Sequence, residues 1–212
     1  MKKQETKVFI IDDDEEICQS IALLLNSAGY KTESFCGTEQ FLEKENYNGT
    51  GCILLDVFLE GKTGLELQAE IEIKFESLPI IFISGQGNIP MSVEAMKKGA
   101  LNFLEKPIDD KELFNAIEEA LNRSNALLKK QNEIEMFKSL VNSLTAREYE
   151  IFRYVISGML NKQIAAELGI AEHTVKNHRL NITEKLGVKS VAEMIYIAEK
   201  LNIKGATVNN HS

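Results

Sequence analysis

Val8-Phe9-Ile10-Ile11-Asp12-Asp13 and Cys52-Ile53-Leu54-Leu55-Asp56 are the stretches that decide the fold of this chain. Each is a run of four apolar residues that stops on an acidic side chain. Four apolar residues in a row, with no polar alternation, are buried on both faces, which is the texture of a strand inside a parallel sheet. Ile80-Ile81-Phe82-Ile83 runs into Ser84 in the same way, and Leu101-Asn102-Phe103-Leu104 leads to Lys106. Strands that end in polar groups gather those groups on the carboxyl edge of the sheet, where open α/β sheets bind ligands. Carboxylates clustered there repel one another and need a cation. A hard divalent ion, Mg²⁺, is the expected occupant.

Working outward, the apolar runs alternate with amphipathic stretches, the pattern of βα units with right-handed crossovers. The spacing predicts strands near 7–11, 31–35, 52–55, 80–83 and 101–104, and helices near 15–28, 37–44, 64–75 and 89–98, with a fifth from about 109. Gly29, Gly85, Gly87 and Gly99 punctuate helix ends and loops. The result is a five-fold βα repeat with a five-stranded parallel sheet.

The chain has 212 residues, enough for two domains, and its net charge of −8 is unevenly spread. Residues 1–121 carry −12, whereas 122–142 and 143–212 each carry +2. An acidic first part and a mildly basic last part point to different partners. Cys18, Cys36 and Cys52 have no paired metal-ligand spacing and read as buried small hydrophobes. With no signal peptide and no apolar run of about 18 residues, a reduced, cytoplasmic protein without a membrane partner is expected.

From Asp109 to about Val141 no proline or glycine interrupts, and Leu113, Ile117, Leu121, Leu128, Ile134, Phe137 and Val141 recur at mostly helical intervals. The fifth helix therefore runs on into a connector, either a spacer or a dimer seam. After Ser143 the pattern is helical only. Thr145 and Glu148 form a capping-box signature for a helix through Val155. Asn161 can cap a second helix, 162–168, stopped by Gly169; a third runs from Glu172 or His173 to Leu186, and a last one from Val191 to Leu201. The middle pair has the outline of a helix-turn-helix, with small Ala165 at the crossing and Ile170 and Val175 facing inward.

Charge alone suggests roles for the sheet-edge residues. Asp12 and Asp13 can ligate Mg²⁺, one directly and one through a metal-bound water. Asp56 completes the cation site and offers a nucleophilic oxygen to a phosphoryl group, and the backbone carbonyl of Phe58 can add a further metal ligand. Lys106 and the Ser84 hydroxyl can pair with phosphoryl oxygens. Asp14, Glu15 and Glu16 read as acids that favour a helix N-terminus.

Ile11-Asp12-Asp13-Asp14, Leu55-Asp56-Val57, Ile83-Ser84-Gly85 and Lys106-Pro107-Ile108 together resemble the receiver domain of bacterial two-component response regulators, over residues 6–121. The stretch from Ser84 to Ala100, with Gln86-Gly87-Asn88 inside it, is similar to the FixJ branch. The resemblance implies a flavodoxin-like fold, phosphorylation of Asp56 by a sensor histidine kinase, and Ser84 with Phe103 as a switch pair. One departure stands in the loop after Asp56, where Phe58-Leu59-Glu60-Gly61 replaces the family's frequent Arg-Met-Pro-Gly. A rival order also exists: Asp12-x-Asp14, Ser84, Lys106 and Asp109-Asp110 mimic a haloacid-dehalogenase-type phosphatase, with Asp12 as nucleophile.

Leu144-Thr145-Ala146-Arg147-Glu148, Asn161-Lys162-Gln163-Ile164-Ala165 and Thr174-Val175-Lys176-Asn177-His178 resemble the LuxR-type DNA-binding domain. The donors on the third helix, Thr174, Lys176, Asn177, His178, Arg179 and Lys185, are the expected DNA contacts. Lone His173 reads as a helix-start residue, and Val175, Ile182, Leu186 and Val188 as core. The organisation expected is a receiver over 1–121, a helical linker over 122–142 and a DNA-binding domain over 143–212. As a whole the chain is similar to NarL/FixJ-family regulators, not to enzymes. The partners implied are a histidine kinase, DNA, a second copy of the chain when phosphorylated, and RNA polymerase as a further candidate.

Overall fold

The computed structural model describes residues 6–45, 47–59, 63–85 and 89–206. Glu60, Gly61, Gln86, Gly87 and Asn88, which belong to the expected motifs, and the expected domain's last residues, 207–212, lie outside the described residues. The chain divides into two compact units, Met1–Lys129 and Lys130–Ser212.

In the first unit, β1 (Lys7–Ile11), β2 (Lys31–Phe35), β3 (Gly51–Asp56), β4 (Ile80–Ser84) and β5 (Asn102–Glu105) alternate with α1 (Glu15–Ser27), α2 (Thr38–Glu43), α3 (Gly64–Lys74), α4 (Ile89–Lys97) and the start of α5 (Asp110–Asn142). Every bound falls within a residue of the expected one. The strands pair in parallel in the order β2-β1-β3-β4-β5. Side chains alternate across the pleat, which is why the apolar runs are continuous. Phe9, Ile11, Ile53, Leu55 and Phe82 pack with residues of α2, α3 and α4. Val8, Ile10, Cys52, Leu54 and Ile81 pack with residues of α1 and α5 on the other face. All of β3 and β4 is buried, and each large side chain so enclosed contributes about 2 kcal/mol of transfer free energy.

One expectation needs revision here. Cys36 is exposed, whereas Cys18 and Cys52 are buried; β2 is an edge strand and Cys36 lies just past its end. Residues of the expected linker pack within the units. Ser124 is fully buried and its hydroxyl accepts from the Gly51 N–H at 3.0 Å, and Leu128 is buried too. Farther along the same helix, Phe137 and Val141 join the core of the second unit.

That second unit contains α6 (Ala146–Ile156), α7 (Asn161–Glu167), α8 (Glu172–Leu186) and α9 (Val191–Lys200). Its core holds Ile151, Phe152, Val155, Ile164, Val175, Ile182 and Leu186. Gly169 turns the chain between α7 and α8 with φ at +61°, a conformation that a Cβ would strain. Val188 and Ala165 are both buried in this core. One cap differs: α7 begins at Asn161, with Leu160 in the cap position, and the Leu160 N–H donates to the Gln163 Oε1 at 2.8 Å. Gln163 closes the first turn, which leaves the Asn161 amide for other work.

Candidate functional site

The strand order reverses between β1 and β3, and ligands in open α/β sheets bind at such a switch point. Asp12 directly follows β1 and Asp56 ends β3, so topology alone puts the two carboxylates side by side. Lys106 follows β5 two strands away and reaches back across the edge. Its Nζ lies 2.7 Å from the Asp12 Oδ2 and 2.8 Å from the Asp56 Oδ1. Both carboxylates are nearly buried, while the lysine keeps partial access to solvent.

Backbone donors hold the remaining oxygens. Asp12 Oδ1 accepts from the Asp14 N–H at 3.0 Å, and Asp56 Oδ2 accepts from the Phe58 N–H at 2.6 Å. Asp14 in turn caps α1, accepting from the Glu16 and Ile17 N–H groups. Gly64 opens α3 so close to the Asp56 carbonyl that a Cβ there would collide with it. These three devices left no sequence signature that singled them out beforehand, except that Asp14 preceded a helix start.

One ammonium between two buried carboxylates leaves a surplus of negative charge. Burial raises the Asp56 carboxyl above its ordinary value; Lys106 opposes that and Asp12 adds to it. Burial pulls the Lys106 ammonium down, but its hydrogen bonds to Asp12 and Asp56 outweigh this and hold it above its ordinary value. A cavity of about 520 Å³ opens over the group, lined by Asp12, Asp13, Asp56, Phe58, Gly85 and Lys106 among others. Asp13 is exposed at its lip.

Two expected members stand outside that cavity. Ser84 is fully buried at the end of β4, and the Lys106 N–H donates to its carbonyl at 2.8 Å. Phe103, half-buried on β5, is paired in register with Phe82, with ring centroids 6.4 Å apart.

On α8 the expected DNA contacts separate into two groups. Lys176 and Asn177 are exposed, and Lys176 forms an ion pair with Glu172 one turn back at 3.2 Å. Thr174 and His178 are half-buried. Arg179 Nη1 donates to the Asn161 Oδ1 at 2.7 Å, tying α8 to α7. Lys185 Nζ lies 2.6 Å from the Oε2 of buried Glu148, the same oxygen that accepts the Thr145 N–H at 2.8 Å. Lys185 thus pairs with Glu148 within the unit while its side chain stays partly exposed. Lys185, and after it the Thr145 N–H, hold the Glu148 carboxyl down at about 2.

Both units match families of known proteins. The response regulator receiver domain family matches residues 8–118, and the luxR family of bacterial regulatory proteins matches residues 142–198. Response regulator protein TmoT of Ectopseudomonas mendocina is 38% identical over 201 residues, covering 95% of this chain and 91% of that protein. Nodulation protein W of Bradyrhizobium diazoefficiens is 39% identical over 196 residues, covering 92% and 86%. Among solved structures, response regulator StyR superposes with a TM-score of 0.80 at 41% identity, covering 92% of this chain and 99% of that one. Full-length FixJ from B. japonicum gives 0.53 at 31% identity, covering 96% and 99%. The receiver match excludes the dehalogenase-type order weighed for Asp12 and Asp14. With a receiver and a luxR-type helix-turn-helix both matched, the chain belongs to the NarL/FixJ-type two-component response regulators, the phosphorylation-dependent DNA-binding regulators of transcription.

Proposed function

We propose that Asp56 is the phosphoacceptor and that its modification by a sensor histidine kinase turns on DNA binding through α8. The observation that carries this reading is the Lys106 ammonium held at 2.7 and 2.8 Å between Asp12 and Asp56 at the switch point of the sheet. An Asp56 oxygen attacks the phosphorus of the donor, the bond from phosphorus to the donor's leaving atom breaks, and an acyl phosphate forms on Asp56. Lys106 then exchanges a carboxylate for a phosphoryl oxygen without leaving the cavity.

The donor set suits a hard divalent ion. Asp12, Asp56, the Phe58 carbonyl and, through water, Asp13 are all oxygen ligands of the kind Mg²⁺ takes. Among the described residues no three His, Cys, Asp or Glu side chains already stand in a metal-holding cluster, so carbonyl and water oxygens have to complete the shell. Bound there, Mg²⁺ would neutralise charge on the transferring phosphoryl group.

In this reading the Ser84 hydroxyl turns toward the phosphoryl group, and Phe103 follows inward on the neighbouring strand. The face that changes is the one containing α4, where Ile89, Val93 and Met96 are 80%, 44% and 46% exposed at helical intervals. An exposed apolar stripe beside a switch strand suits pairing with a second copy, and a two-fold dimer suits two DNA half-sites. Contact with RNA polymerase and a cytoplasmic location belong to the same reading, as does the division at 121 and 142. Among the described residues no helix is long and apolar enough to cross a membrane.

The test is incubation with acetyl phosphate and Mg²⁺, followed by peptide mapping of the product. A phosphoryl adduct on the peptide carrying Asp56, absent from Asp56→Asn, is expected; equal labelling of that variant would refute the assignment.

A further inference from the structure

Val175, Ile182 and Leu186 fix the inward face of α8. The opposite side carries His173, Lys176, Asn177, Leu180, Asn181 and Glu184, all exposed. Five of these six are polar or charged. Leu180 is the exception: a large aliphatic side chain, 59% exposed and flanked by two amides one turn and one residue away. Single exposed leucines are ordinary on protein surfaces. This one lies in the middle of the face that the DNA-binding reading turns toward the major groove.

The floor of that groove offers hydrogen-bonding edges everywhere and, in unmodified DNA, one apolar group, the C5-methyl of thymine. Asn177 and Leu180 are three residues apart and therefore neighbours on the helix surface. An amide suited to adenine beside an isobutyl group suited to thymine makes one compact A·T-reading patch. Arg179 and Lys185 do not compete for this role, because Asn161 and Glu148 engage them inside the unit.

We propose that Leu180 is a specificity-determining residue that reads a thymine methyl in each half-site of the operator. This rests on the reading of α8 as the groove-facing helix, and the test separates the two. The full chain, activated with beryllofluoride and Mg²⁺, selects its site from random duplex DNA. Each thymine of the selected half-site is then replaced in turn by deoxyuridine, which removes only the methyl.

At one thymine per half-site, wild type should bind about fourfold more weakly, the effect of one buried methyl. Leu180→Ala, which removes the contact in both half-sites, should bind the parent site about sixteenfold more weakly and ignore the replacement, whereas Leu180→Met should restore discrimination. Unchanged melting of both variants, expected for so exposed a position, guards against misfolding. If wild type selects a site but no deoxyuridine weakens it, or if Leu180→Ala discriminates equally, the assignment to Leu180 falls while the groove reading stands. If no sequence is enriched at all, the groove reading falls and takes this inference with it.

Discussion

Lys106 and Lys185 make ion pairs of nearly the same length, yet their surroundings set them apart. Lys106 serves two buried carboxylates at once, at 2.7 and 2.8 Å, and the acid it must share, Asp56, is pushed up. Lys185 serves one, at 2.6 Å, and that acid also receives a backbone N–H and is held down at about 2. The first pair is under-neutralised and opens on a cavity. The second matches one acid with one lysine, which stays partly exposed. An ion pair short of positive charge is a place for a cation and a phosphoryl group, whereas a saturated one braces the fold.

Breaking the satisfied pair should have the largest effect. Lys185→Ala leaves Glu148 without its charged partner, and for a pair whose lysine is partly exposed such a loss costs about 2 kcal/mol. Urea unfolding should show this in the helical unit alone, with the receiver transition unmoved. A receiver transition that shifts equally would contradict the contrast.

Acid should expose the same pair next. A carboxyl whose folded value lies below its ordinary 4.5 contributes stability that is complete above about pH 4.5 and is lost as pH falls toward 2. Asp56 has the opposite sign, because a raised carboxyl costs stability once ionised. Thermal melts between pH 6 and 2 should therefore show an acid loss in the helical unit that Glu148→Gln largely removes. An unaltered profile in that variant would assign the loss to other carboxylates.

Relief at the working site should be smaller and favourable. Asp56→Asn removes one of two acids crowded around Lys106 and should stabilise the receiver by about 1 kcal/mol, as replacement of strained functional groups commonly does. A marked loss of receiver stability would mean that the pair is a brace as well.

Arg179 gives the finest discrimination. Arg179→Ala and Asn161→Ala both remove a half-buried hydrogen bond and should each cost about 1 kcal/mol. If Arg179 also neutralises a DNA phosphate, only Arg179→Ala should flatten the salt dependence of binding. Equal salt slopes for the two variants would confine Arg179 to the fold.

What could be read in advance follows the same division. Strand ends were legible because four apolar residues in a row have one stable environment, and parallel register carries Asp12, Asp56, Ser84 and Lys106 to one edge whatever the loops do. Helix starts at Thr145 and Glu172 were legible from capping and periodicity. Partners across space were not. Nothing local to Lys185 or Arg179 records that Glu148, 37 residues back, or Asn161, 18 residues back, will engage the side chain. A basic helix face can be recognised from sequence, but the cations on it that remain available depend on tertiary partners.

The most direct test of the whole account is the affinity of the full chain for its selected site, measured with and without beryllofluoride and Mg²⁺ in wild type and Asp56→Asn. Wild type should bind more tightly when the phosphoryl mimic is present, and Asp56→Asn should show no change. Equal affinity in both states of wild type, or a gain retained by Asp56→Asn, would contradict a switch seated at Asp56.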